Sequence, residues 1–206
     1  MMHNLVRNPA SWYVAALAVA CPVEELLPPD RLDRLLQWSS TNLANLHLWP
    51  QGHPVEALVV SAFVPQDSVW IWPLLALSTY TVVSLLGAGR TVALLALVHV
   101  GVTAATETMV WWRIHHGSLP PSDAYLLDTG PSYLVVAAMA VAMCRARQVW
   151  IRLVWLVLLG VAAPGLLDGI TDGDCSAIGH VLAFTAGLTV VWTHRQRRAT
   201  PDLITA

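Results

Sequence analysis

The chain is 206 residues long, 56% apolar and only 12% charged, with a mean hydropathy of +0.58. An ordinary soluble domain is about one quarter charged, so these proportions exclude a soluble monomeric enzyme, and at about 20 residues per spanning helix they leave room for roughly six spans. The net charge of −2, with arginine supplying all 11 basic residues, gives no electrostatic footprint for a nucleic-acid partner.

At the start of the chain Arg7 precedes an apolar stretch that runs into Glu24, Glu25 and the pair Pro28 and Pro29 without a small-residue cleavage site. It reads as a first span, about 11–27, and not as a cleaved signal peptide. Five more apolar windows follow at 69–87, 91–112, 130–144, 149–167 and 177–193, each bounded by charge, proline or glycine. The expected fold is all-α: a polytopic membrane protein with a six-helix bundle over 11–193, a cytoplasmic N-terminus at 1–10 and an arginine-rich cytoplasmic tail at 194–206.

Between the first two windows lies a long outer loop, about 28–68. Its piece RLDRLLQWSSTNLANLHLW sets Leu32, Leu35, Leu36, Leu43 and Leu46 among polar residues, as expected of a helix at the outer interface or packed on the bundle. Trp12, Trp70, Trp72, Trp111, Trp112, Trp150 and Trp192 fall near predicted span ends, where interfacial anchoring accounts for them.

Arginine placement orients the spans. With the N-terminus in the cytoplasm, Arg7, Arg90, Arg145, Arg147, Arg152, Arg195, Arg197 and Arg198 lie inside, while Arg31, Arg34 and Arg113 lie outside. Both termini are therefore expected in the cytoplasm. The absence of lysine and the abundance of Ala, Val and Arg suggest a GC-rich bacterial genome, hence a bacterial inner membrane.

Polar residues inside spans cost free energy unless they are paired or face a wet cavity. The third window carries His99, Thr103 and Glu107 at i, i+4 and i+8, on one helix face that points into the bundle. The plain structural reading of that face is a stripe of interhelical hydrogen bonds that holds the bundle together. The fourth opens with Asp128-Thr129-Gly130-Pro131-Ser132-Tyr133, a helix start that puts Ser132 beside free backbone N–H groups. Taken alone, a serine there is more often a capping or packing residue than a nucleophile. The sixth carries His180 a turn or so below the same surface, with Gly179, Ala183 and Gly187 forming a ridge of small residues for close helix packing. A serine and a histidine level with each other on two spans are what a dyad needs, with Glu107 or Asp174 available to orient the ring. Three cysteines, Cys21, Cys144 and Cys175, form no metal pattern, and no metal or cofactor is expected; Cys21 and Cys175 lie near the outer side, where two unpaired thiols are favoured over a cystine.

These segments resemble the rhomboid family of intramembrane serine proteases, which has a long first loop, a GxSG motif opening the fourth helix and an AHxxGxxxG pattern in the sixth. The matching residues are Gly130-Pro131-Ser132 and Gly179-His180-x-x-Ala183-x-x-x-Gly187, with Ser61-Ala62-Phe63 similar to the family's TSAF segment ahead of the second helix. Ser40-Thr41-Asn42-Leu43-Ala44-Asn45 and the run from Asp128 to Tyr133 resemble a divergent bacterial branch, so the likeness covers nearly the whole chain. It implies Ser132 as nucleophile, His180 as base and a transmembrane protein as substrate. The chain departs from the family at its second helix, where 69–74 has neither the histidine nor the asparagine of HxxxN, and after the serine, where Tyr133 replaces glycine. His99 and Thr103, with Glu107, are candidates to support the oxyanion in their place. The alternative is a catalytically inactive member that binds or escorts other membrane proteins in the lipid bilayer. A lipid phosphatase lacks its lysine and partner motif here, the prolines after Glu24 and Glu25 break a glutamate-protease helix, and no internal repeat supports transport.

Overall fold

The computed structural model describes residues 8–46, 52–64 and 71–199, except for the side chains at 71, 72 and 194–199. Arg7, Trp49, Trp70, the side chains of Trp72, Arg195, Arg197 and Arg198, and much of the segment 69–74 lie outside the described residues.

The described residues fold into nine α-helices: α1 Pro9–Leu26, α2 Pro29–Ser39, α3 Leu43–Leu46, α4 Pro54–Ser61, α5 Ile71–Leu86, α6 Ala88–His115, α7 Ser132–Arg145, α8 Val149–Leu166 and α9 Cys175–Ala199. Six of them, α1 and α5 to α9, lie where the six apolar windows predict helices. Helices α6, α8 and α9 have stretches long and apolar enough to cross a membrane, while Pro73–Leu86 and Ser132–Arg145 are shorter apolar helices. α1 starts at Pro9 and α9 runs on to Ala199, so helix extends into both flanking segments assigned from the sequence. α6, with 28 residues, is about 42 Å long at 1.5 Å per residue, more than a hydrocarbon core of about 30 Å requires.

The centre of the molecule is α7. Residues 133–142 are all buried, and α5, α6, α8 and α9 pack around them. Alanine at 137, 138, 140 and 142 keeps this helix thin, which lets its neighbours approach closely. α8 is the opposite case: Trp155 is its buried residue, and Val149, Trp150, Leu153, Val154 and Val157 are exposed. An apolar helix with so little of its surface covered by protein matches a lipid-facing position.

The piece predicted as amphipathic forms two helices, not one. α2 buries Leu36 and exposes its charges; the chain then breaks at 40–42 and restarts as α3. The break has a polar cause. Ser40, Thr41 and Asn42 are each no more than 2% exposed, and their groups bond to the segment before α7 and to one another. All three cysteines are free thiols.

Candidate functional site

The two polar segments singled out in the sequence meet. The Thr41 amide donates to the Asp128 carbonyl at 2.7 Å, the Thr41 hydroxyl donates to the same carbonyl at 2.8 Å and lies 3.2 Å from Asp128 Oδ2, and the Asp128 amide donates to Ser40 Oγ at 2.9 Å. Asn45 closes the loop on itself through its side-chain amide, which donates to the Gln37 and Ser40 carbonyls at 2.7 and 2.8 Å. The outer loop is thereby fastened to the segment that leads into Ser132. Burial pushes the Asp128 carboxyl above the usual carboxylate range and the negative charge of Asp174 adds to this, while hydrogen bonds from Thr41 and Tyr133 act the other way.

Ser61, Ala62 and Phe63 form a second fastening. The Gly130 amide donates to the Ser61 carbonyl at 3.0 Å, the Tyr13 hydroxyl donates to the Ala62 carbonyl at 2.6 Å, and the Tyr13 and Phe63 rings meet edge to face at 5.1 Å. Gly130 has φ of +103°, in the half of backbone space that glycine tolerates.

The polar stripe on α6 faces these loop helices. His99 Nε2 lies 2.8 Å from the Leu58 carbonyl and 3.1 Å from Ser61 Oγ. A carbonyl only accepts, so Nε2 carries the proton and His99 clamps the last turn of α4. Its one N–H is therefore engaged. Glu107 accepts from the Leu43 amide at the start of α3, and Thr103 Oγ1 is buried without a partner among the described residues. The cavities beside this stripe, about 420 Å³ next to Thr103 and Glu107 and about 530 Å³ next to His99, include neither Ser132 nor His180 in their walls.

Ser132 is the first residue of α7 and is half-buried. The Val135 amide donates to the Pro131 carbonyl at 2.9 Å, so the amides of Ser132, Tyr133 and Leu134 precede the helical ladder. His180, on α9, is 8% exposed. Its Nδ1–H donates to the Leu166 carbonyl at 2.8 Å, and its Nε2 is buried without a hydrogen-bond partner among the described residues. The ring is oriented by a backbone carbonyl and by neither carboxylate proposed from the sequence: Asp174 Oδ1 instead accepts from the Ala177 amide at 2.7 Å and caps α9.

Tyr133 joins the two helices. Its ring meets that of His180 edge to face at 5.3 Å, and its hydroxyl lies 3.4 Å from Asp128 Oδ1 and is hydrogen-bonded with Ser176. A Cβ on Gly179 would come within 2.6 Å of the Tyr133 ring, and one on Gly187 within 2.6 Å of the Ala137 carbonyl. The tyrosine in place of glycine thus leaves close packing of α7 and α9 intact, because Gly179 vacates the volume the ring fills. Ala183 is fully buried in the same ridge. The sequence carries no sign of Leu166, whose contribution is a backbone oxygen, and Tyr13 lies unmarked in an apolar stretch.

A family model described as rhomboid-like protein matches residues 5–200. No curated protein and no solved structure matches the chain.

Proposed function

This chain belongs to the rhomboid-like family, and from that premise we propose that it is an intramembrane serine protease in which Ser132 is the nucleophile and His180 the general base. The observation that carries the reading is the His180 ring: with Nδ1–H given to Leu166, the nitrogen left bare is Nε2, on a ring that touches the residue after Ser132. Ser132 Oγ attacks the carbonyl carbon of a substrate peptide bond and its proton passes to Nε2. The oxyanion takes hydrogen bonds from amides in the first turn of α7. Collapse breaks the C–N bond, the amine leaves with the proton from Nε2, and water then hydrolyses the acyl-enzyme by the same route.

The substrate in this reading is a membrane protein whose transmembrane helix unwinds at the outer leaflet. Six helices span a bacterial inner membrane with both termini cytoplasmic, as the arginine distribution supports. Of the stripe, His99 and Glu107 support the site indirectly, by holding the loop helices. Nε2 is buried and the Tyr133 ring packs on the imidazole, so in this reading Tyr133 swings aside as Ser132 comes into reach. The same closure favours a second reading, a catalytically inactive member that binds or escorts other membrane proteins.

Treatment of the purified chain with a fluorophosphonate probe separates the two. Labelling of the wild type that disappears in Ser132→Ala and falls in His180→Ala supports the protease. Labelling that persists in Ser132→Ala overturns the assignment, and a wild type that never labels favours the escort.

A further inference from the structure

A second concavity lies at the far end of α7, about 20 Å along the helix from Ser132 at 1.5 Å per residue. It is a groove of about 860 Å³ between the last turns of α5 and the turn joining α7 to α8, lined by Tyr80, Ser84, Arg145, Arg147, Gln148 and Arg152 among others. Among the described residues no Asp or Glu stands in its walls. The one ion pair among the described residues, Arg34 with Asp30, is on α2.

Three arginines within eight positions repel one another unless a counter-charge is supplied, and no described side chain of the groove supplies it. Arg145 sits in the last turn of α7, where it complements the helix dipole. Arg147, exposed in the turn, has no such role. Arg152 Nε donates to the Ala146 carbonyl at 2.7 Å, which holds the guanidinium at the turn while leaving its terminal nitrogens without a partner among the described residues. Gln148 is the N-cap residue of the 18-residue helix α8, and its side chain bonds to no amide of that helix. The hydroxyls of Thr81 and Ser84 donate to carbonyls of their own helix, each at 2.7 Å, so donation into the groove falls to the arginines, the Gln148 amide and the Tyr80 hydroxyl. Planar guanidinium groups without carboxylate partners are suited to paired hydrogen bonds with phosphate oxygens.

We propose that this groove binds a phosphate-bearing anion, and that the membrane supplies it as the headgroup of an anionic phospholipid. The lipid source is favoured by what adjoins the groove: Val149, Trp150 and Leu153 at the start of α8 are 67%, 62% and 54% exposed, an apolar surface along which acyl chains lie while the headgroup meets the arginines. The proposal rests on the reading that α5, α7 and α8 cross the bilayer, and is independent of whether Ser132 reacts.

The full chain is reconstituted in phosphatidylcholine nanodiscs with a minor fraction of phosphatidylglycerol, and bound lipids are counted by native mass spectrometry. The triple variant Arg145→Gln, Arg147→Gln, Arg152→Gln is compared with the control Arg31→Gln, Arg34→Gln. The expected loss of phosphatidylglycerol affinity is about fivefold per arginine, on the order of a hundredfold for the triple variant, with the control unchanged and excess inorganic phosphate failing to displace the lipid. Equal retention by the triple variant, or an equal loss in the control, overturns the site. Displacement by inorganic phosphate overturns the lipid source and assigns the groove to a soluble anion. Should the triple variant unfold, the three single variants must each show the loss. A chain that does not insert into nanodiscs overturns the membrane reading as well, whereas insertion without lipid preference overturns this proposal alone.

Discussion

The Nδ1–H of His180 donates to the carbonyl oxygen of Leu166 at 2.8 Å. That bond decides which ring nitrogen holds the proton, because the carbonyl has none to give. A backbone oxygen stands where a triad would place a carboxylate. It orients the imidazole without adding a buried charge.

Removing this base has a measurable consequence. His180→Ala is expected to slow fluorophosphonate labelling of Ser132 by about 10²–10⁴, the usual contribution of a general base. The folded state should survive, since the ring's one hydrogen bond within the described residues is to Leu166. An unchanged labelling rate at an unchanged unfolding temperature would dismiss His180 as the base.

Tyr133 is expected to gate the same reaction. In Tyr133→Phe the ring still fills the space at Gly179 while the bonds to Asp128 and Ser176 are lost. Labelling of Ser132 should become faster than in the wild type. A rate equal to or below the wild type would show that the hydroxyl tether does not hold the site closed.

Packing of α9 on α7 leaves no room at Gly187. Gly187→Ala puts a methyl group 2.6 Å from the Ala137 carbonyl and 3.0 Å from Ala140 Cβ, and overpacking of this kind costs about 1–3 kcal/mol. Gly101→Ala on α6, where nothing lies within 4 Å, is the control, carrying the helix-propensity gain of the same exchange without the clash. The comparison is read as unfolding midpoints in detergent, and equal midpoints would contradict the close approach of these helices.

The fastening at Asp128 predicts a pH dependence with a definite sign. Burial, and after it the charge of Asp174, raise the Asp128 carboxyl in the fold despite the bonds from Thr41 and Tyr133, and the Glu107 carboxyl interacts with it as well. Between the ordinary carboxylate value and the raised one the native state binds more protons than the unfolded chain, so stability falls as pH rises through that window. Its contribution is fully present below the ordinary value. Asp128→Asn should flatten this slope, measured as unfolding midpoint against pH; a slope that survives the substitution would place its source elsewhere. Thr41→Val, which removes the hydroxyl donated to the Asp128 carbonyl, should cost about 1–3 kcal/mol in the same measurement.

His99 separates support from chemistry. If it serves by clamping Leu58, His99→Phe lowers the unfolding midpoint while the labelling rate per folded molecule stays near that of the wild type. A rate that drops at an unchanged midpoint would instead give His99 a part in the transition state.

The fold and much of the site are legible in the sequence. Composition alone marks a membrane chain, the apolar windows locate six helices to within a few residues, and Ser132, His180 and the ridge of Gly179, Ala183 and Gly187 stand out because polar and small residues are scarce in such a sequence. These features follow from local periodicity and from the cost of burying polarity, both properties of consecutive residues. What consecutive residues do not carry is which buried group answers which. Thr41 and Asp128 are 87 positions apart and Ser61 and His99 are 38 apart, and only the packed chain makes each pair partners. The acceptor for His180 is a backbone oxygen that any residue at 166 would present. The stripe of His99, Thr103 and Glu107 was legible as a polar face, but that His99 and Glu107 grip the outer loop was decided by where α3 and α4 settle against α6.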